Sequence, residues 1–459
     1  MNVVLLSGGS GKRLWPLSND VRSKQFIKIF KNEDGTYESM LQRMYRQIKK
    51  VDRDARVTIA TSKTQVSAIR NQLGEEVGVS VEPCRKDTFP AIVLASAYLT
   101  DVEGVPEEET VVICPVDPYV EEDYFRTIHE ISKLAAKGES DLVLLGVEPD
   151  RPSERYGYII PETQDDVSYV SAFKEKPGAG EAEEYISKGA LWNGGVFAYK
   201  LKYVLKKAHE LIDFTDYADL VEQYEALEKI SFDYAVVENI LRNKEGTAAD
   251  PEKPVAEAAD SGRIQVKRFG GKWQDLGTWN SLTQAMGEKV IGKGILDEEC
   301  SSVHIVNEMD VPVLAMGLHD VIISASPDGI LVSDKDSSRR ISPFVEGLEQ
   351  QIMFAEKSWG SYKVMDVETE SMTIKVTLNE GNSMNYHSHR NRDEVWVVLS
   401  GEGRTIVDGM EQKVSAGDVI TMSAGCRHTV IADTELKLIE VQLGREINVN
   451  DKQKYRLEY

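Results

Sequence analysis

Two groups of residues in this 459-residue sequence have the types and spacing for chemistry. The first is Ser7-Gly8-Gly9-Ser10-Gly11-Lys12-Arg13, which follows the apolar run Val3–Leu6. Glycines let backbone N–H groups close on an anion, and Lys12 and Arg13 bring charge to it. A P-loop would need glycine at position 6 and Ser or Thr at position 13, and a dinucleotide fingerprint would need glycine at position 14. On these residues alone, a tight strand-to-loop turn explains the glycines as well as an anion site does. The second group is His387-Ser388-His389 with Glu394 and, further on, His428. Alternation along a strand puts His387 and His389 on one face, so both imidazoles can enter a barrel. Three imidazoles and a carboxylate suit Zn²⁺ or another divalent transition metal, although an isolated HxH is more often incidental surface.

The elements that must hold these groups follow from hydrophobic patterning. Val3–Leu6, Val57–Ala60, Val111–Cys114 and Leu142–Gly146 are short apolar runs that predict buried strands. Met40, Leu41, Met44, Tyr45 and Ile48 form a helical stripe that Ser39 can cap, and a second helical run, Ala91–Leu99, follows Pro90. Strands alternating with helices predict an α/β sheet covered on both faces. After about residue 290 the runs shorten, with Val303–Val306, Val311–Ala315, Val321–Ile323 and Ile330–Val332 separated by Asp, Gly and Pro. This predicts a small all-β unit with coil-like repetition. From about Ser358 the expected strands are Thr373–Leu378, Val395–Leu399, Arg404–Val407 and Val419–Met422, with Asp408-Gly409 as a two-residue hairpin turn. The polar stretch Asn243–Gly262 reads as a surface loop.

The formal charge of −22 argues against nucleic acid or an anionic membrane as a partner. Residues 1–50 nevertheless carry ten Lys/Arg and four Asp/Glu, a local balance of +6 that leaves −28 elsewhere. Cys84, Cys114, Cys300 and Cys426 lack CxxC spacing and read as reduced thiols. With no signal peptide or spanning segment in the pattern, the expected location is the cytoplasm.

The first motif extends to GGSGKRLWPLS and then Ser23-Lys24-Gln25-Phe26. It resembles the nucleotide-binding signature of the sugar-phosphate nucleotidylyltransferases, within them most the mannose-1-phosphate guanylyltransferases, with Ser23 where the family has proline. Further stretches match in the same order. Glu82-Pro83 with Arg85 and Asp87-Thr88-Phe89-Pro90-Ala91 is similar to the segment that reads the base. Cys114-Pro115-Val116-Asp117 resembles a strand end presenting a metal-binding aspartate. Tyr156-Gly157-Tyr158-Ile159, Phe173-Lys174-Glu175-Lys176-Pro177 and Trp192-Asn193-Gly194-Gly195-Val196-Phe197 resemble the sugar-binding motifs, and Phe232–Ala235 and Trp273–Trp279 complete the set.

The resemblance implies transfer of GMP from GTP to mannose-1-phosphate, giving GDP-mannose and pyrophosphate. It assigns catalysis to Arg13, Lys24, Asp117 and Asp275, with Asp117 and Asp275 holding Mg²⁺. Nucleotide contacts fall to Leu6, Gly8, Gly9, Gly11, Arg13, Lys24, Arg85, Pro90 and Asp117. Contacts to the sugar phosphate fall to Gly157, Tyr158, Glu175, Lys176, Asn193 and Gly195. A homo-oligomer, a dimer, is expected.

Around the second motif, Gly381 and Gly401 flank HxHxxxxE, while Gly417 and Gly425 precede His428. These positions resemble the two cupin motifs, with Ser423 and Ala432 replacing their Pro and Asn. The resemblance implies a metal held by His387, His389, Glu394 and His428. A guanylyltransferase followed by a cupin resembles the bifunctional type II enzymes, which also interconvert mannose-6-phosphate and fructose-6-phosphate. Leu438-Ile439-Glu440-Val441-Gln442 matches that family, whereas the sequence after Ile447 departs from its usual ending.

The expected architecture is α/β: a Rossmann-like nucleotidyltransferase domain with a mixed, mostly parallel sheet (1–288), a small β-rich, β-helix-like domain (289–350) and a C-terminal cupin or jelly-roll barrel (351–459). The alternatives are a guanylyltransferase whose cupin is a structural or regulatory metal module, a transferase for another sugar-1-phosphate, and a non-catalytic nucleotide sensor.

Overall fold

Asn2–Leu6 is too apolar to face water and forms an interior strand of a nine-stranded sheet, paired in parallel with Arg56–Ser62 on one side and Thr110–Pro115 on the other. Val3, Val4 and Leu5 are fully buried, which contributes about 1.5–3 kcal/mol per side chain. The computed structural model describes residues 1–9, 12–19, 21–238, 240–241, 262–348, 351–445, 447 and 451–456. Gly11 lies outside the described residues, as does the expected surface loop Asn243–Gly262 except for Gly262 itself.

The described chain divides into two compact units, one comprising Met1–Gly9, Lys28–Lys63 and Glu75–Gly277, the other Ser10–Ile27, Thr64–Gly74 and Thr278–Tyr459. In the first unit the sheet is mixed. It is parallel from Gly78–Glu82 through Thr110–Pro115. It turns antiparallel around Leu191–Lys200, and is parallel again where Leu142–Val147 meets Ile264–Phe269. Helices follow the apolar stripes. Met40–Val51 buries Met40, Leu41, Met44 and Ile48, and Ser39 caps it: its hydroxyl accepts from Gln42 N while the Gln42 side chain accepts from Ser39 N. Thr88–Asp101 is apolar on nearly all sides and is correspondingly buried.

The second unit begins its C-terminal part with short parallel strands. Val290–Gly292, His304–Asn307 and Val321–Ser326 stack side by side, as do Gly294–Leu296 and Val313–Ala315. Ile305, Ala315 and Ile323 fill the space inside this small β-coil. Gly329–Asp334 closes it by pairing antiparallel to Val321–Ser326. Beyond it lie a six-stranded and a five-stranded antiparallel sheet, the jelly-roll pattern. Asp408 (φ 46°) and Gly409 (φ 81°) make the expected two-residue turn between Val407 and Met410, since both central positions need positive φ.

Candidate active site and metal centre

In the first unit, three neighbouring strands deliver their carboxyl ends to one place. Ser7 N donates to Ala60 O (2.8 Å) and Val116 N to Leu6 O (3.2 Å), so Gly8 and Gly9 emerge between the Arg56–Ser62 and Thr110–Pro115 strand ends. Ligands bind at such a sheet edge in open α/β folds. Asp117 lies two residues past Pro115 and is half-buried. Trp273–Asp275 pairs antiparallel with Pro118–Val120, setting Asp275 opposite Pro118, the residue that follows Asp117. Carboxylates carried on neighbouring backbone positions are the kind of donor a hard divalent cation takes.

Glu82 ends the neighbouring strand and is buried. One of its oxygens accepts from Tyr224 OH (2.9 Å); the other would lie 3.5 Å from a Cβ built at Gly8. Burial raises this carboxyl above the ordinary range. Arg85 is exposed, whereas Pro90 is buried in the first turn of helix Thr88–Asp101.

The sugar-motif residues converge as a second cluster of the first unit. A Cβ at Gly157 would lie 2.7 Å from Glu175 Oε2 and 2.8 Å from the Phe173 ring, so only glycine fits there. Gly157 O accepts from Asn193 N (2.8 Å), and Asn193 Oδ1 accepts from Gly195 N (3.1 Å). Glu175 pairs with the exposed Lys176 at 2.6 Å. Tyr158 is buried, its hydroxyl donating to Ser153 O and accepting from Trp192 Nε1. Asp233 joins this cluster although its motif had carried no role: Asn193 Nδ2 donates to its Oδ1 at 2.7 Å. Burial, then the neighbouring Glu175, push its carboxyl up to about 7. Tyr156, Trp192 and Trp273 pack together beside it, with ring centroids 4.9–6.4 Å apart.

In the second unit, Arg13 and Lys24 each sit in a short 3₁₀ turn, Lys12–Leu14 and Lys24–Phe26; Arg13 is exposed and Lys24 half-buried. The same unit carries the histidine cluster. His387 and His389 lie on one short strand, His428 is directly opposite His387, and Glu394 is the second residue of the strand Asp393–Ser400. All four are buried, and their ligand atoms fall within 4.8 Å of one another. The Nδ1 atoms of His387 and His428 face the Asn385 and Cys426 carbonyls at 2.6 and 3.1 Å, which turns each Nε2 inward. Glu394 Oε2 and His428 Nε2 lie 3.1 Å apart without forming a hydrogen bond, and His389 Nδ1 is also unsatisfied. Buried polar atoms left in this way fit a metal ligand set. Burial first, then nearby cations, lower His387 to about 2 and His389 to about 4. Neutral imidazoles are the form a metal requires.

Other inward groups surround this centre. Arg392 donates to Glu394 Oε1 and approaches His389 Nε2, both at 3.0 Å. Lys452 is paired directly opposite His389 and shares its face. Glu440 is buried beside Gln442, which donates to it. Burial, then Glu394, push Glu440 up to about 7, and burial lowers Lys452 to about 8.

The nucleotidyl transferase family profile matches residues 2–290, and the cupin domain profile matches 374–442. The mannose-1-phosphate guanylyltransferase of Escherichia coli is 26% identical, over 98% of this chain and 96% of that protein. The alginate biosynthesis protein AlgA of Pseudomonas aeruginosa is also 26% identical, over 98% of this chain and 95% of that one. Among solved structures, a Thermus thermophilus protein described as mannose-1-phosphate geranyltransferase superposes with a TM-score of 0.59 at 27% identity. That likeness covers 76% of this chain and 99% of the Thermus chain. The chain belongs to the nucleotidyl transferase family and carries a cupin domain in its C-terminal part.

Proposed function

We propose that the chain transfers GMP from GTP to mannose-1-phosphate, releasing pyrophosphate and forming GDP-mannose. The observation that carries this reading is the ladder that sets Asp275 opposite Pro118, one backbone position from Asp117, just past the strand that pairs with Asn2–Leu6 ahead of Gly8 and Gly9. The whole-length similarity to guanylyltransferases supports the choice of substrates. In the reaction an oxygen of the sugar phosphate bonds to the α-phosphorus while the bond to the bridging oxygen of pyrophosphate breaks. Mg²⁺ held by Asp117 and Asp275 would neutralise phosphate charge there.

The remaining work is positioning. Gly8 and Gly9 offer backbone N–H groups, with Leu6 and Gly11 in the same signature, and Arg13 and Lys24 take the triphosphate charge. Glu82 accepts the N1–H and N2–H₂ donors of guanine, which adenine does not present together, and Arg85 and Pro90 frame the base. Glu175, Asn193 and Asp233 bind sugar hydroxyls, Lys176 meets the sugar phosphate, and Gly157, Tyr158 and Gly195 shape the backbone around them. Four free cysteines accord with a cytoplasmic location. The expected homo-oligomer belongs to the same proposal, and sedimentation measures it.

For the cupin we infer a bound Zn²⁺ or another divalent transition metal on His387, His389, Glu394 and His428, and mannose-6-phosphate/fructose-6-phosphate isomerisation as a second activity. Such a metal polarises the substrate's carbonyl and hydroxyl oxygens. Glu440, whose carboxyl burial raises, and Lys452, whose ammonium burial lowers, are the groups suited to moving the proton between C1 and C2. Pyrophosphate release that requires both GTP and mannose-1-phosphate tests the first activity. Fructose-6-phosphate formation from mannose-6-phosphate by metal-replete protein tests the second. Its absence would leave the cupin a metal-binding module.

A further inference from the structure

Among the described residues between Arg13 and Lys24 there is no ladder; several of them are fastened to the β-coil and to the first strand of the jelly roll. Arg22 is buried and donates through Nη1 and Nη2 to the two carboxylate oxygens of Glu308, both at 2.8 Å. Its guanidinium also lies 5.0 Å from the centre of the Phe354 ring. Asn19 closes a turn by accepting from Val21 N and Arg22 N, and its amide donates to Asp328 Oδ2 at 3.0 Å. Ser326 Oγ donates to Pro16 O (2.7 Å), and Trp279 Nε1 donates to Trp15 O (3.1 Å). On the far side of Lys24, Gln72 donates both to Phe26 O and to Glu356 Oε2.

The anchoring groups are themselves fixed by the coil. Glu308 N extends the coil ladder by donating to Ala325 O (2.8 Å), and Asp328 Oδ1 accepts from Met353 N (2.8 Å). A bidentate Arg–carboxylate pair specifies a geometry as well as supplying attraction. Breaking it leaves a buried charge without its partner, so the segment has reason to keep one conformation.

We propose that Glu308 and Asp328 are positioning residues for guanylyl transfer: acting through Arg22 and Asn19, they hold the segment that presents Arg13 and Lys24 to the triphosphate. This rests on the reading that Arg13 and Lys24 bind GTP, and it gives the C-terminal half of the chain a part in the transferase reaction. Small misplacements of a charged group are expensive in rate and binding.

The test is Glu308→Gln in the full chain, with initial rates measured against each substrate and GTP affinity measured by calorimetry. The proposal predicts a rise on the order of 10-fold in KM and Kd for GTP, with KM for mannose-1-phosphate unchanged. A merely structural role would lower kcat in proportion to the folded fraction and leave both KM values alone; that result overturns the proposal. Should E308Q fail to fold, Asp328→Asn leaves the Arg22–Glu308 pair intact and carries the same expectation. Lys24→Ala separates the two levels. GTP binding unchanged in K24A refutes the underlying reading, whereas loss in K24A with none in E308Q or D328N refutes this inference alone.

Discussion

Asp275 stands opposite Pro118 in a two-stranded antiparallel ladder, one backbone position from Asp117 although the two lie 158 positions apart in sequence. Asp117 is half-buried at a strand end and Asp275 is half-buried on the ladder, so neither is a freely solvated surface carboxylate. Replacing Asp275 or Asp117 by Ala should lower turnover of GTP and mannose-1-phosphate by at least ~100-fold, the usual loss for one electrostatic contributor. Circular dichroism should show an unchanged fold. A correctly folded D275A variant with near-normal turnover would remove Asp275 from the reaction.

Glu82 should decide the base. Charge-assisted hydrogen bonds contribute about 1.5–3 kcal/mol each, so Glu82→Gln should narrow the preference for GTP over ATP by roughly 10–100-fold. Competition between the two nucleotides in one assay measures this. An unchanged ratio would mean that other groups read guanine.

The Asp233 carboxyl, held up at about 7 by burial and Glu175, should give sugar binding a pH dependence. Its folded pKa lies above its unfolded one, so the group is neutral and can donate below about pH 7, and it adds a negative charge beside Glu175 as pH rises through that value. KM for the sugar phosphate should therefore rise as pH increases through about 7. Asp233→Asn should flatten that profile without altering KM for GTP. An identical pH profile in D233N would assign the titration elsewhere.

The cupin centre should hold close to one metal ion per chain, measured by elemental analysis after dialysis. His387→Ala removes one of four buried ligands and should reduce bound metal at least ~10-fold at a fixed concentration of free metal. Chelation should lower the melting temperature of the wild-type chain much more than that of H387A, because only the wild type has metal binding coupled to folding. Equal shifts in the two proteins would place the stabilising metal at another site.

The local signals are legible in the sequence because each works through chain neighbours. Ser39 and Gln42 cap a helix three residues apart, Asp408-Gly409 supplies the positive φ of its turn, and HxHxxxxE keeps its ligands on strands consecutive in the chain. The partnership of Asn193 with Asp233 is different. Phe232-Asp233-Tyr234 completes the set of motifs without a role of its own, and only the fold brings Asp233 to a strand residue 40 positions earlier. Arg22 and Glu308 are 286 residues apart, and each taken singly is an ordinary surface charge. The basic excess of residues 1–50 also divides once the structure is known. Arg46 and Lys50 are spent on Glu38, Glu33 and Glu122, and Arg22 on Glu308, while Arg13 stays exposed.

The most direct measurement is pyrophosphate release by the purified full chain across a panel of nucleoside triphosphates and sugar-1-phosphates with Mg²⁺ present. The account predicts that GTP with mannose-1-phosphate gives the highest kcat/KM, with GDP-mannose formed in equal amount to pyrophosphate. GTP binding without turnover on any sugar phosphate, or a higher kcat/KM for a different pair, would contradict it.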